Sequence, residues 1–570
     1  MKKILHLTLA LTAACLLTAS CVGDLDALPF NEDDFTSEDA YGDQIGGYVS
    51  GLAKLYRAFN NYDGLEVDDA GASELIRAYW CIQECSTDAC KNNWEKDAWT
   101  QDINKNTWST ADNAATYAVY CRTLHGITYV NEFLRQTDDA ILKTRGCSED
   151  VIAKVHGMRA EARFIRACMY WIAIDTFGDV PFVTEKSEFG SASPEVRTRA
   201  EVFAFIVEEL KEIIEGNDLG EPGSNYPRAD KGAALGLLTR LYLNAQIYNS
   251  TVDASGSVTE KGEAMWEECI SACEKIFSYG NYQLCVNYQD VFRGDNGENP
   301  EARNEMLFAI DYDEVNMNGW GGTIFLVQSS FQAADDNDDN GNPLYSLGVK
   351  DGWAGIRMPS EYVFRYFGVT VPENGYDAEG KYTGVYNYTD DRAAFFFNKG
   401  HVENMEDLAE FTQGWSFYKY NNIPHDMTRE EFSGTAVGYG TTSAKCGIDY
   451  PFIRLAEIYL TYAEACLHTG KTSEGLKYLN AVRKRSHASE LTGYTLEDVQ
   501  NERAIELAWE GVRRTDLIRW DLYNSGSFLW KWKGGSYDGQ GFSPHLLVFD
   551  FPQAELTANR NLSHKPGYAN

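Results

Sequence analysis

Apolar positions along the chain fall into stretches with a helical period and stretches with none. Phe203, Ile206, Leu210 and Ile213 recur at spacings of 3, 4 and 3. Ala234, Leu238, Leu241, Ala245 and Tyr248 form the same kind of stripe, as do Ile453, Ala456, Leu460, Ala463 and Leu467. Such spacing puts the apolar groups on one face of an α-helix. It predicts helices over 200–215, 230–248 and 450–468, and similar patterning predicts others near 38–60, 111–136, 149–177, 260–279, 472–486 and 496–521.

The pairs 200–215 with 230–248 and 450–468 with 472–486 read as helix hairpins with short connections. Small residues at Ala160, Ala167, Gly232, Ala233, Ala456 and Ala463 let such helices approach closely. This is the logic of tetratricopeptide-like repeats, although the full repeat signature is absent. The expected class is therefore mainly α, with long irregular insertions. Those insertions, roughly 61–108 and 281–447, are rich in Gly, Asn, Asp and aromatics. Loops this long are functional or disordered, and their aromatic content argues against disorder. Helices are expected to form a scaffold that displays them.

Composition narrows the function. Among 570 residues, aromatics make up 13%, with 34 Tyr and 13 Trp, and the formal net charge is -35. That acidity argues against nucleic acid as a partner, because phosphate binding needs a basic surface. Lys2 and Lys3 precede an apolar run, Ile4 to Leu17, that is too short to span a bilayer. Leu17-Thr18-Ala19-Ser20-Cys21 then resembles a bacterial lipobox. Residues 1–20 read as a signal, Cys21 as the acylated new N-terminus and 21–35 as a tether. The remainder, 36–320 and 321–570, reads as two parts of one integrated unit. Export permits disulfides, and Cys81, Cys85 and Cys90 are close enough for one local bridge. Zinc at that triplet lacks a second cysteine pair or nearby histidines.

Motifs of catalysis are missing: there is no GxSxG elbow, HExxH or P-loop. Glu502, Arg503, Glu506, Glu510, Arg513, Arg514, Asp516 and Arg519 could offer an acid/base pair. Their i,i+3 and i,i+4 spacings on one predicted helix suit ion pairing better, for instance Glu510 with Arg514. Asp336, Asp338 and Asn340 begin like a calcium loop, but the twelfth position is Leu347, which offers no oxygen. Calcium is the one cofactor with any sequence support.

Six blocks then become recognisable in order. They are EARFIRACMYWIAIDTFGDVPFVTE from Glu161, DKGAALGLLTRLYLNAQIY from Asp230, YPFIRLAEIYLTYAEACLHTG from Tyr450, LNAVRKRS from Leu479, ERAIELAWEGVRRTDLIRW from Glu502 and FPQAELTANRNLSHKPGY from Phe551. Together they resemble the SusD/RagB family of outer-membrane nutrient-binding lipoproteins. The end departs from the family pattern, with Arg560 in place of a proline and His564-Lys565-Pro566 before Gly567-Tyr568. The resemblance implies a tetratricopeptide-like α–α superhelix with a large loop-rich region, in a lipid-anchored, non-catalytic surface protein that caps a SusC-like TonB-dependent transporter. Such a protein captures an oligosaccharide or polysaccharide, or in some members a peptide. A surface glycoside hydrolase is the competing reading from another class.

Sugars present an apolar C–H face and a rim of hydroxyls, so flat aromatic rings among polar groups suit them. Trp94 and Trp99 lie in an Asn-rich segment with Asp97, downstream of Asp69 and Arg77. The resemblance places a ligand-contacting loop here, with Asp69, Arg77 and Trp94 as its matching positions. A second aromatic cluster, Tyr312, Trp320, Phe325 and Trp353, lies in the second irregular stretch. Trp80 and Trp108 are expected to be packed.

Overall fold

The computed structural model describes residues 37–61, 65, 73–95, 97–109, 113–187, 193–313, 317, 320–331, 347–349, 352–428, 431–432 and 446–568. Cys21, the tether, Asp69 and the calcium-like Asp336, Asp338 and Asn340 lie outside them. Long helices pack on one another in succession. Ala114–Gln136 lies on Glu149–Phe177, which lies on Arg199–Glu215; Lys231–Leu243, Trp266–Tyr279, Leu455–Thr469 and Thr472–Arg485 continue the stack. The architecture is the expected tetratricopeptide-like helical superhelix.

Local chemistry sets the helix ends. Ser148 Oγ accepts the Val151 amide at 3.3 Å to start Glu149–Phe177, and Gly178 at φ 70° ends it. Thr198 and Glu201 form a capping box ahead of Arg199–Glu215. Asp230 Oδ1 accepts from the Gly232 and Ala233 amides at 2.8 and 3.1 Å. Each cap satisfies N–H groups that the helix itself leaves unpaired. The small residues serve close packing: a Cβ on Gly236 would come within 2.7 Å of Ile453 Cγ2.

The sequence pattern misses four features, each for a physical reason. Leu75–Cys85 is a helix inside the stretch read as loop, and every one of its residues is buried. Arg77, Gln83 and Glu84 are buried with its apolar residues, so polarity along it does not mark a water-facing side. Tyr450–Arg454 is a strand, not the first turn of a helix; it pairs antiparallel with Met306–Ile310, placing Ile453 opposite Phe308. The 38–60 helix divides into Ser37–Tyr41 and Ile45–Tyr56, with Gly42 at φ 57° between them. The 496–521 helix divides into Leu496–Glu506 and Arg513–Arg519, because Trp509 (φ 65°) and Gly511 (φ 73°) turn the chain.

That last break redirects the charges. Glu510 pairs with Arg454 (2.6 Å) and Lys419 (2.5 Å), not with Arg514. Arg392 bridges Glu502 and Glu506, both at 2.7 Å, while Arg485 also reaches Glu506. Arg503 binds Asp516, Arg513 binds Asp88 and Arg519 binds Glu464. The cluster is structural as expected, but its partners come from distant segments. Burial alone would raise the Glu506 carboxyl; Arg485, Arg454 and Arg392 together hold it well below the usual range. Cys85 and Cys90 face each other as buried thiols with sulfurs 3.7 Å apart. Among the described residues, no helix is long and apolar enough to cross a membrane.

Candidate functional site

The site is built on a locked turn. Past the end of helix Leu75–Cys85, the buried Lys91 ammonium donates to the carbonyls of Cys85, Thr87 and Asn104 at 3.1, 2.8 and 3.0 Å. Burial lowers its pKa to about 8. Lys91–Asn92 pairs antiparallel with Ile356–Arg357. Asn104 clamps Asn92 from the side, accepting from its amide at 2.9 Å and donating to its carbonyl at 2.7 Å. The next residues are thereby fixed. The Trp94 amide donates to Asn92 Oδ1 at 2.9 Å, and Thr100 Oγ1 donates to the Trp94 carbonyl at 2.9 Å.

Across the pairing, Gly355 makes room for the Trp94 indole, which a Cβ there would overlap. Ala354, at φ 54°, turns the chain so that Trp353 lies beside Trp94. Trp353 is anchored by its amide, which donates to the Gln328 carbonyl at 2.7 Å. Trp320 arrives from a third segment, its carbonyl accepting from Arg77 Nη1 at 2.9 Å. Behind it, Gly321 and Gly322 pack where side chains would overlap Glu74 and Tyr312.

The result is an aromatic arc. Trp94 and Trp353 have ring centroids 6.3 Å apart, tilted by 59°; Trp353 and Trp320 are 5.8 Å apart, tilted by 51°. All three rings are half-buried. The fully buried Phe325 backs Trp94 at 6.2 Å, and the Arg77 guanidinium lies 4.3 Å from the Phe325 centroid. Beneath the arc, burial pushes the Glu74 carboxyl up to about 8, while Tyr312 donates its hydroxyl to Glu74 Oε1.

Three residues expected to contact a ligand are interior instead, and two of them, Arg77 and Tyr312, brace the arc from behind. Arg77 (3% exposed), Tyr312 (8%) and Trp99 (7%) are interior. The same flanking polar pattern marks a side chain that touches ligand and one that braces it, so sequence could not separate them. Asp97 is exposed, just ahead of helix Ala98–Lys105. Sequence reasoning missed Glu74, Glu95 and Gly355. Glu95 pairs with Lys105 at 2.5 Å beside Trp94, and no motif announces it. A separate cavity of about 310 Å³, lined by Leu52, Tyr56, Phe59, Met158 and Phe308, has no tryptophan in its wall.

For metals, the described residues offer Asp295, His425 and Asp426, whose ligand atoms lie within 4.8 Å of one another. His425 Nδ1 already pairs with Asp295 Oδ2 at 2.5 Å, which raises its pKa. The arc itself offers stacking surface and hydrogen bonding. Of the carboxylates near it, Glu95 is paired with Lys105 and Glu74 accepts from Tyr312, while Asp97 is exposed.

A SusD family model matches residues 304–568, and a second, described as starch-binding associating with outer membrane, matches 76–243. The starch-binding protein SusD of Bacteroides thetaiotaomicron is 29% identical over 96% of both chains. A SusD-like protein of Bacteroides ovatus is 25% identical over 64% of this chain and 59% of its own. The fold matches surface glycan-binding protein A of Bacteroides thetaiotaomicron in complex with laminarihexaose, with a TM-score of 0.65 and 19% identity over 91% of this chain and 99% of that one. It also matches a SusD superfamily protein of Parabacteroides distasonis, with a TM-score of 0.64 and 19% identity over 94% and 100%. With two family models spanning its two halves and a relative aligned along nearly its whole length, the chain belongs to the SusD family.

Proposed function

We propose that this protein captures a curved glucan chain on the Trp94–Trp353–Trp320 arc. It then delivers the chain to a partner TonB-dependent transporter while held at the outer membrane by lipid on Cys21. The single observation that carries the binding step is the arc of three half-buried indoles tilted by 59° and 51° to their neighbours. An array of flat faces tilted to one another matches a chain that coils, such as an α-1,4- or β-1,3-glucan. A flat, extended β-1,4 chain would need faces in one plane. A relative named for starch binding and a structural neighbour holding laminarihexaose support that choice. Delivery and anchoring rest on the lipobox-like segment and on the family's six sequence blocks.

The function is binding without turnover: the arc offers flat stacking faces, and Glu95 beside Trp94 is paired with Lys105. An open arc with few stacked contacts must offset the ordering of ligand and rings, so affinity falls around ~10⁻³ to 10⁻⁶ M. Calorimetry with maltoheptaose, laminarihexaose, cellohexaose and glucose tests the reading. One or both of maltoheptaose and laminarihexaose should bind, and Trp353→Ala should weaken that binding. Preference for cellohexaose or free glucose would overturn it, as would new reducing ends released from starch.

A further inference from the structure

A second aromatic platform stands beyond the loops that flank Trp94. Residues 525–541 fold around Lys533, whose buried ammonium donates to the carbonyls of Leu522, Ser525 and Phe528 at 3.1, 2.6 and 2.6 Å. Of the two tryptophans beside it, Trp530 packs inward, with Lys533 Nζ 4.1 Å from its ring centroid. Trp532 does not. It takes φ 69°, a left-handed conformation that is costly for a bulky residue, and its ring remains half-buried at the surface. Two bonds hold it there: its amide donates to the Tyr537 carbonyl at 3.1 Å, and Nε1 donates to the Met405 carbonyl at 2.8 Å. Tyr537 meets the indole edge-on at 5.6 Å.

Both routes away from Trp532 lead back to the neighbours of Trp94. Met405 belongs to the 402–413 segment, whose Glu410 carbonyl accepts from Asn93 Nδ2 at 2.9 Å. Lys105 lies 5.2 Å from the Trp532 ring and pairs with Glu95 at 2.5 Å. The segments that join the two platforms carry Lys105 and the exposed Glu406, Asp407 and Glu410. Carboxylates accept from sugar hydroxyls and an ammonium donates to them.

We propose that Trp532 is a distal subsite of the same binding face, taking further sugar units of a chain whose other end lies on the Trp94–Trp353–Trp320 arc. This deepens the reading above and rests on it. Strain in the Trp532 backbone then has a use, since it presents a flat apolar face where packing alone would have turned the ring inward.

The test is calorimetry of the full chain with maltotriose and maltoheptaose, and with laminaritriose and laminarihexaose. Wild type should bind the longer member of a series about tenfold more tightly, as filling a second, linked subsite requires. Trp532→Ala should leave the trisaccharide unchanged and remove most of that gain. Trp532→Phe, which keeps a flat face but loses the Nε1 bond, should retain it. Trp353→Ala should weaken short and long chains alike. A length dependence untouched by Trp532→Ala overturns the subsite, as does a Phe variant as damaged as the Ala variant, which would mark the ring as a loop anchor. If wild type binds neither series, or Trp353→Ala has no effect, the arc reading itself fails and the subsite falls with it.

Discussion

Arg77 donates from Nη1 to the main-chain carbonyl of Trp320 at 2.9 Å, from a helix whose residues are all buried. A core guanidinium therefore holds one end of the surface arc from behind. Arg77→Met keeps the aliphatic length and removes the donor. Stability should fall by about 1–3 kcal/mol, the cost of a buried acceptor left unpaired. Glucan affinity should fall roughly three- to tenfold, because Trp320 must then be ordered at the expense of binding. Chemical denaturation and calorimetry measure the two; affinity unchanged in a folded variant would show that the carbonyl needs no such brace.

Gly355 faces the Trp94 indole with no side chain between them. Gly355→Ala should drive the ring out of its place beside Trp353. Overpacking of this kind costs about 1–3 kcal/mol of stability, whereas glucan affinity should drop at least about tenfold. Trp94→Ala/Gly355→Ala should bind no worse than Trp94→Ala alone, since the two changes act on one contact. Additive losses in calorimetry would contradict that coupling.

Glu74 carries a pH dependence whose sign follows from its burial. Desolvation raises its carboxyl to about 8, outweighing the Tyr312 hydroxyl and the Arg77, Arg57 and Arg122 charges. Between the ordinary carboxylate value and about pH 8, the folded protein keeps a proton that the unfolded chain has released. Its contribution to stability therefore declines as pH rises through that window. Glu74→Gln removes the titration, so its stability relative to wild type should improve by roughly 2–4 kcal/mol between pH 5 and pH 8. Urea melts at pH 5, 6.5 and 8 check this; a constant difference would place the titration elsewhere.

Arg454 is 0% exposed and pairs with Glu305, Glu506 and Glu510 at 2.7, 2.6 and 2.6 Å. Arg454→Met takes one cationic partner from three buried carboxylates, leaving Arg392, Arg485 and Lys419 to balance them, and breaking such a network by one partner costs about 3–5 kcal/mol. The loss should be greatest near neutral pH and shrink in acid, as protonation relieves the unbalanced carboxylates. Glucan affinity of the folded fraction should stay at the wild-type level, because the network lies in the interior. A variant as stable as wild type in guanidinium melts would show that the network contributes no net stability.

The helices that pack by one face were legible because burial on one side and water on the other writes a period into the chain: 200–215 is the helix Arg199–Glu215. Helix Leu75–Cys85 was not, since its polar Arg77, Gln83 and Glu84 are buried and do not mark a water-facing side. The aromatic residues of the site were also legible as candidates. Their sorting was not: Trp94, Trp320 and Trp353 are half-buried together, while Trp99 and Tyr312 are interior. An indole has the same composition in a core and on a binding face, and only its neighbours decide which role it takes.

Sequence alone determined the helical framework, the lipobox-like start and the family, because these depend on residues close together in the chain. Tertiary structure decided which rings share one arc, that Arg77 and Tyr312 stand behind it, and that Trp532 lies beyond it. Those relationships run through the pairing of Lys91–Asn92 with Ile356–Arg357, the Arg77–Trp320 bond and the Lys105 bridge between Glu95 and Trp532. Each joins segments remote in sequence, and a local pattern carries no record of which distant loop it will meet.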